Sequence, residues 1–191
     1  MRYYFSLLAF LQKKLTNFYK RHEILKYKTL YPGRILFSKA FYFSVMPGFH
    51  LDGSDSKLVF DDLVAFRGKT NFTFHNGGVI KVGRNVFFND SCSVNCLGSI
   101  DIGENVMFGE GVKIYDHNHQ YRYDDSKLII EPNEFKIGKV VIGKNSWIAS
   151  NVTILSNVEI GENVIIGANC LIYKSVPSNS IVRHTENLSI V

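Results

Sequence analysis

The chain has 191 residues with 46% hydrophobic content, enough for one domain with an appendage and ordinary for a globular protein. Its three cysteines (Cys92, Cys96, Cys170) are odd in number and lack metal-ligating spacing, which argues against a disulfide framework and for reduced thiols in a cytosolic protein. The net charge of +5 is unevenly placed. Residues 1–50 hold nine Lys or Arg against one acid, Glu23, and residues 51–191 hold thirteen against sixteen, so the larger part is not built to bind nucleic acid.

Residues 2 to about 28, RYYFSLLAFLQKKLTNFYKRHEILKYK, contain no Gly or Pro and read as a helix. Leu8, Leu11, Leu15, Phe18 and Leu25 make one apolar stripe, with Lys13, Lys14, Lys20 and Arg21 near its edge. The apolar run is too short to span a bilayer, and no small-residue cleavage site comes after it. The helix is expected either to pack on the solenoid formed by the rest of the chain or on a neighbouring subunit, covering its open end, or to lie on an anionic membrane surface, where Tyr3, Tyr4, Phe5 and Phe10 would help. The Pro-Gly and Asp-Gly pairs of residues 29–57 mark a linker and short strands.

The solenoid is expected from Leu58, within a domain spanning 58–177. Its first turns alternate like strands without a clean register. From Val82 a sixfold count appears (Val82, Phe88, Val94), slips by two at Leu97–Ser99, and resumes at Ile102, Phe108 and Ile114. Residues 120–139 break it, and such an insertion is expected to be expelled as a loop suited to binding. The count returns as isoleucine at 142, 148, 154, 160, 166 and 172, each accompanied four residues later by a small or β-branched residue: Ser146, Val152, Val158, Val164, Cys170, Val176. Neither a helix nor plain strand alternation has a period of six. Short strands with tight corners do, glycines 143, 161 and 167 tolerating the bends. The fold class is therefore all-β: a parallel β-helix of about five turns, three hexapeptides to a turn, roughly 25 Å tall. Residues 178–191 read as a polar cap.

Chemistry concentrates just before the break, in Gly111-Val112-Lys113-Ile114-Tyr115-Asp116-His117-Asn118-His119. His117 and His119 are two apart and project to one side. Imidazole takes and returns a proton near neutral pH, so acid–base work ranks above a metal site, which would need a third ligand such as His75. Asp116, Asp124 or a residue across the cleft could hold the imidazole. Trp147, the one tryptophan, falls in an outward slot and points to an interface with a neighbouring subunit or a ligand.

The run IGKNSWIASNVTILSNVEIGENVIIGANCLIYKSVP resembles the hexapeptide-repeat, left-handed β-helix acyltransferases, and GVKIYDHNH resembles their catalytic-histidine turn. Within that family the likeness is to sugar O-acetyltransferases of the maltose, galactoside, capsule and O-antigen types, over residues 60–177. The resemblance implies a left-handed coil, acetyl-CoA as co-substrate, no metal, and a homotrimer with active sites between subunits. It implies catalysis by His119, with His117 second and Asp116 assisting. Trp147, Ala149, Ser150, Ala168 and Lys174 are the implied CoA contacts, and Asn89 and Asn95 the implied acceptor contacts. The family's Gly-Asn-Pro-Ala closing motif is absent; the chain reads Val182-Arg183-His184-Thr185 there. The expected activity is acetyl transfer to a sugar hydroxyl of a cell-surface polysaccharide or precursor, in the cytoplasm or at the inner face of the membrane. N-acetylation of an amino sugar and a non-catalytic trimeric scaffold are the alternatives.

Overall fold

The computed structural model describes residues 2–75 and 77–185, with backbone alone for 2–11 and 13. The side chains of Tyr3, Tyr4, Phe5, Leu8, Phe10, Leu11 and Lys13 and the last six residues of the expected polar cap lie outside the described residues.

Parallel strands stack on three faces. The first face runs Ile35–Leu36, Lys57–Phe60, Val79–Val82, Ser99–Ile102, Lys139–Ile142 and Val158–Ile160. The second runs Phe41–Phe43, Val64–Phe66, Phe87–Phe88, Met107–Phe108, Trp147–Ile148, Ile165–Ile166 and Ile181–Val182. The third runs Gly48–Leu51, Thr70–Phe74, Cys92–Cys96, Lys113–Tyr115, Thr153–Ile154 and Leu171–Ile172. This is a three-sided coil of six turns rather than five. Its lowest turn uses residues 35–51, ahead of the expected start at Leu58, and it runs on past Pro177 through Ile181–Val182.

The register explains why the lower turns hide their repeat. Partners lie 23 residues apart at the bottom (Ile35↔Leu58), then 22 (Leu58↔Ile80), 20 (Ile80↔Ile100) and 18 (Val140↔Val158), and the partial turn at the top closes at 16 (Ile165↔Ile181). Only the spacing of 18 is three hexapeptides. The wider turns are filled by larger side chains: Phe43, Phe49, Phe60, Phe66, Phe72 and Phe88 occupy the lower core, isoleucines the upper. Phe66 stacks on Phe88 at 5.0 Å and Phe88 on Phe108 at 4.7 Å between ring centroids, and the buried hydrophobic side chains form one continuous core.

The corners are turned chiefly by asparagine. Asn85, Asn105, Asn145, Asn163 and Asn179 all have φ between 56° and 61°, a left-handed conformation that asparagine tolerates better than most residues. They form a ladder up one edge, each side-chain amide donating to the carbonyl oxygen of the asparagine above at 2.9–3.2 Å. Glycines 143, 161 and 167 have no such angle. The first two are needed for closeness: a Cβ on Gly143 would lie 2.4 Å from the Gly161 carbonyl carbon, and one on Gly161 2.5 Å from the Ser178 nitrogen.

The helix α1 spans Arg2–Leu30 and is followed by a turn in which Gly33 takes a φ of 72°. Its C-terminal part closes the lower end of the prism. Ile24 and Tyr27 pack against the core, and the Tyr27 ring meets Phe49 edge-on at 4.8 Å.

Gly143→Ala should therefore destabilise the protein by about 3 kcal/mol through backbone collision. Asn145→Ala should cost about 2 kcal/mol by breaking the ladder and straining a left-handed corner. Denaturant unfolding of the two variants checks the order.

Candidate active site

The chain leaves the prism after Lys113–Tyr115, and the next residue, Asp116, turns inward with 0% of its surface exposed. Its carboxylate accepts from the Leu97 N–H at 2.9 Å, the Gly98 N–H at 2.8 Å and the Cys96 thiol at 3.1 Å. Cys96, Leu97 and Gly98 lie one turn below, where the sixfold count slips by two. The slip leaves two amides without a strand partner, and Asp116 takes both. A fourth bond runs from the same carboxylate to His117 Nδ1, 2.9 Å away. Burial works against the charge, but the bonds from His117, the two amides and the thiol outweigh it, and the carboxyl titrates below its ordinary range.

Because Asp116 is ionised, Nδ1 of His117 carries the proton and Nε2 is the basic nitrogen. The His117 side chain is 13% exposed and lines a cleft of about 530 Å³ with His75, His119, Pro132, Asn133 and Phe135. Phe135 touches each histidine in turn: ring centroids lie 4.6 Å from His119, 5.4 Å from His117 and 6.5 Å from His75. His119 also borders a second open concavity of about 640 Å³, with Asn118, Gln120, Tyr121 and Lys136.

The expected loop 120–139 is a β-hairpin, His117–Asp124 against Lys127–Ile137. Asp125 and Ser126 join the strands with φ of 42° and 67°, matching a two-residue turn with both angles positive. The register jumps between His119↔Phe135 and Gln120↔Glu131, so residues 132–134 bulge, and the bulge aims Phe135 at the histidines. The Gly138 N–H donates to the Asp116 carbonyl at 2.7 Å and closes the hairpin's base. Asp124 sits at the tip beside Arg122, at 3.7 Å, away from both histidines; the carboxylate bonded to a histidine of the cleft is Asp116, and its partner is His117 rather than His119.

The remaining expected residues fall elsewhere on the same chain. Trp147 stands outward on the second face, 49% exposed. Ala149 and Ser150 turn the corner from that face to the third, with Asn89 two turns below and Ala168 one turn above. The Ala149 N–H is committed to the Ile166 carbonyl at 2.9 Å. Lys174 is exposed at the top of the third face, and Asn95 is on the third face beside Ser93. The chain thus carries two separate groups of these residues, a histidine cluster at one edge of the third face and the Trp147–Ser150 corner at the other. Among the described residues no three His, Cys, Asp or Glu are grouped to hold a metal ion. All three thiols are buried and free; burial pushes Cys92 up to about 11, and burial with the Asp116 charge pushes Cys96 further, so neither is a thiolate nucleophile. Phe135 and the amides of Leu97 and Gly98 were not among the expected site residues. The two-residue slip was the one signal for those amides.

Residues 139–174 match the family described as bacterial transferase hexapeptide (six repeats). No curated protein matches the chain. Among solved structures, a hexapeptide-repeat containing acetyltransferase from Vibrio cholerae is 24% identical over 61% of this chain and 65% of its own, with a TM-score of 0.51. The chain thus spans less than two thirds of that protein's length. The polySia specific acetyltransferase NeuO is 19% identical over 73% and 76%, TM-score 0.50. The N-acyltransferase AntD from Bacillus cereus, as a mutant in complex with dTDP and coenzyme A, is 17% identical over 82% of each chain, TM-score 0.54. At these identities the likeness establishes the fold, a left-handed parallel β-helix of hexapeptide repeats.

Since the folded carboxyl titrates below its ordinary value near 3.8, Asp116 stabilises the protein above about pH 4, and that contribution is lost as pH falls toward the folded value. Asp116→Ala should cost about 3–5 kcal/mol at neutral pH by leaving two buried amides unpaired, and should flatten the acid limb of stability against pH. Denaturant titrations at pH 3 to 7 read both effects.

Proposed function

We propose that this hexapeptide-repeat chain is an acetyl-CoA-dependent acyltransferase that acetylates a sugar hydroxyl, working as a homotrimer on the cytoplasmic side, where acetyl-CoA is supplied. The observation that carries the reading is the buried Asp116 bonded to His117 beside an open cleft, at the large break in the coil. A carboxylate held in place by two backbone amides is an orienting group for an imidazole.

In the proposed step, Nε2 of His117 accepts the proton of the acceptor hydroxyl as its oxygen attacks the thioester carbonyl. A backbone N–H near Ser150 bonds the developing oxyanion, a contact of the kind worth ~3 kcal/mol. The C–S bond then breaks, and the imidazolium returns its proton to the CoA thiolate, leaving acetylated acceptor and free thiol. Acetyl-CoA would be held by Trp147, Ala149, Ser150, Ala168 and Lys174, and the acceptor by Asn89 and Asn95.

The trimer joins the two groups, the histidine cluster and the Trp147–Ser150 corner, from different protomers. An outward column of apolar residues supports it: Tyr42, Phe87, Met107, Trp147, Ile165 and Ile181 lie on one register line up the second face, and Trp147 and Met107 are about half exposed. Such a column is suited to burial against a second copy.

Free-thiol release from acetyl-CoA, across a panel of sugars, oligosaccharides and amino-sugar nucleotides, tests the activity and separates O- from N-transfer. His117→Ala should lose at least ~100-fold in transfer while still binding acetyl-CoA. A loss of that size in His119→Ala, with His117→Ala near normal, would move the base to position 119.

A further inference from the structure

α1 carries two apolar stripes, and the prism uses one of them. Ile24 and Tyr27 face the core. Leu15, Phe18 and Leu25 are 67%, 71% and 64% exposed and, at 100° per residue, lie on the far side of the helix from that pair. Lys14, Arg21 and Lys28 succeed one another at intervals of seven along one edge of the outer stripe, all exposed. Lys14, Leu15, Phe18 and Arg21 line one shallow cleft, so the basic edge and the apolar stripe are contiguous.

Two occupants fit an apolar helical stripe: the same helix from further copies, or a lipid surface. The spacing Leu8, Leu11, Leu15, Phe18, His22, Leu25 alternates three and four, the period of a coiled-coil seam. Charge decides against that occupant. The flanking positions of such a coil are Lys14, Arg21 and Lys28 on one side and Gln12, Tyr19 and Lys26 on the other, with no acid at any of them. A parallel coil would set Arg21 against Lys26 of the next helix. Glu23, the helix's one acid, is engaged by His22 at 3.5 Å and Lys26 at 3.8 Å. An apolar stripe beside a row of exposed basic residues is complementary to anionic headgroups over an acyl boundary.

We propose that α1 lays the prism on an anionic lipid surface, with Leu15, Phe18 and Leu25 entering the interface and Lys14, Arg21 and Lys28 meeting the headgroups. The contact is peripheral: among the described residues no helix is long and apolar enough to cross a membrane. It is independent of the acyl-transfer reading, since a prism with any activity would be tethered in the same way.

The experiment is co-sedimentation of the full chain with vesicles of phosphatidylglycerol and phosphatidylethanolamine, and separately with pure phosphatidylcholine. Binding is expected to the anionic vesicles alone and to weaken as salt is raised. Neutralising Lys14, Arg21 and Lys28 to Gln should lower partitioning roughly fivefold per charge removed. The double variant Leu15→Ser, Phe18→Ser should abolish it with the prism's unfolding midpoint unchanged. Equal binding to both vesicle types, or none to the anionic ones, would overturn the proposal. So would a double variant that changes the oligomeric mass in sedimentation while vesicle binding persists, since the stripe would then belong to a second copy.

Discussion

An ionised carboxylate away from water is costly, and Asp116 is fully enclosed. It is stabilised because every neighbour is a donor: two backbone amides, a thiol and an imidazole. The same contacts serve two ends. They satisfy the amides left unpaired where the coil widens at Leu97–Gly98, and they fix one tautomer of His117 at the mouth of the cleft. The irregularity of one turn and the orientation of the imidazole in the next are one arrangement, held by one side chain.

The prism supplies the rigidity this needs. Its full turns shorten from 23 residues to 18 going up, and its core changes from phenylalanine to isoleucine in step. A wider turn has more interior to fill, and close packing demands larger side chains there. At the edges, asparagine meets two requirements at once, a left-handed backbone and a side chain that bonds its counterpart one turn away. The hairpin emerges between turns of this stack, so the strands below and above clamp its base, and its bulge can present Phe135 to the histidines.

The two ends of the molecule are treated differently. Below, α1 covers the open core with Ile24 and Tyr27, which keeps the lowest strands from presenting a bare hydrophobic end. Above, the coil thins out to a partial turn at Ile181–Val182. The proposed chemistry sits at mid-height, where the hairpin leaves the coil after its fourth turn. The proposed lipid contact sits at the foot, so neither constrains the other.

The upper turns were legible from isoleucine alone, because an 18-residue turn leaves its period of six in the chain. The histidine turn was legible too, since Asp116, His117 and His119 are neighbours in sequence and stand at a visible break. The lower turns were not, because 22 and 23 residues per turn leave no integral repeat, and a phenylalanine core shows no period when the spacing drifts. Nor could local spacing say which of His117 and His119 the Asp116 carboxylate bonds. That depended on where the Asp116 carboxylate points, which is set by amides 18 and 19 residues earlier in the chain. Glycines 143 and 161 carry the same lesson. Their role is to let one turn approach the next, and a distance between turns is written in no single stretch of residues.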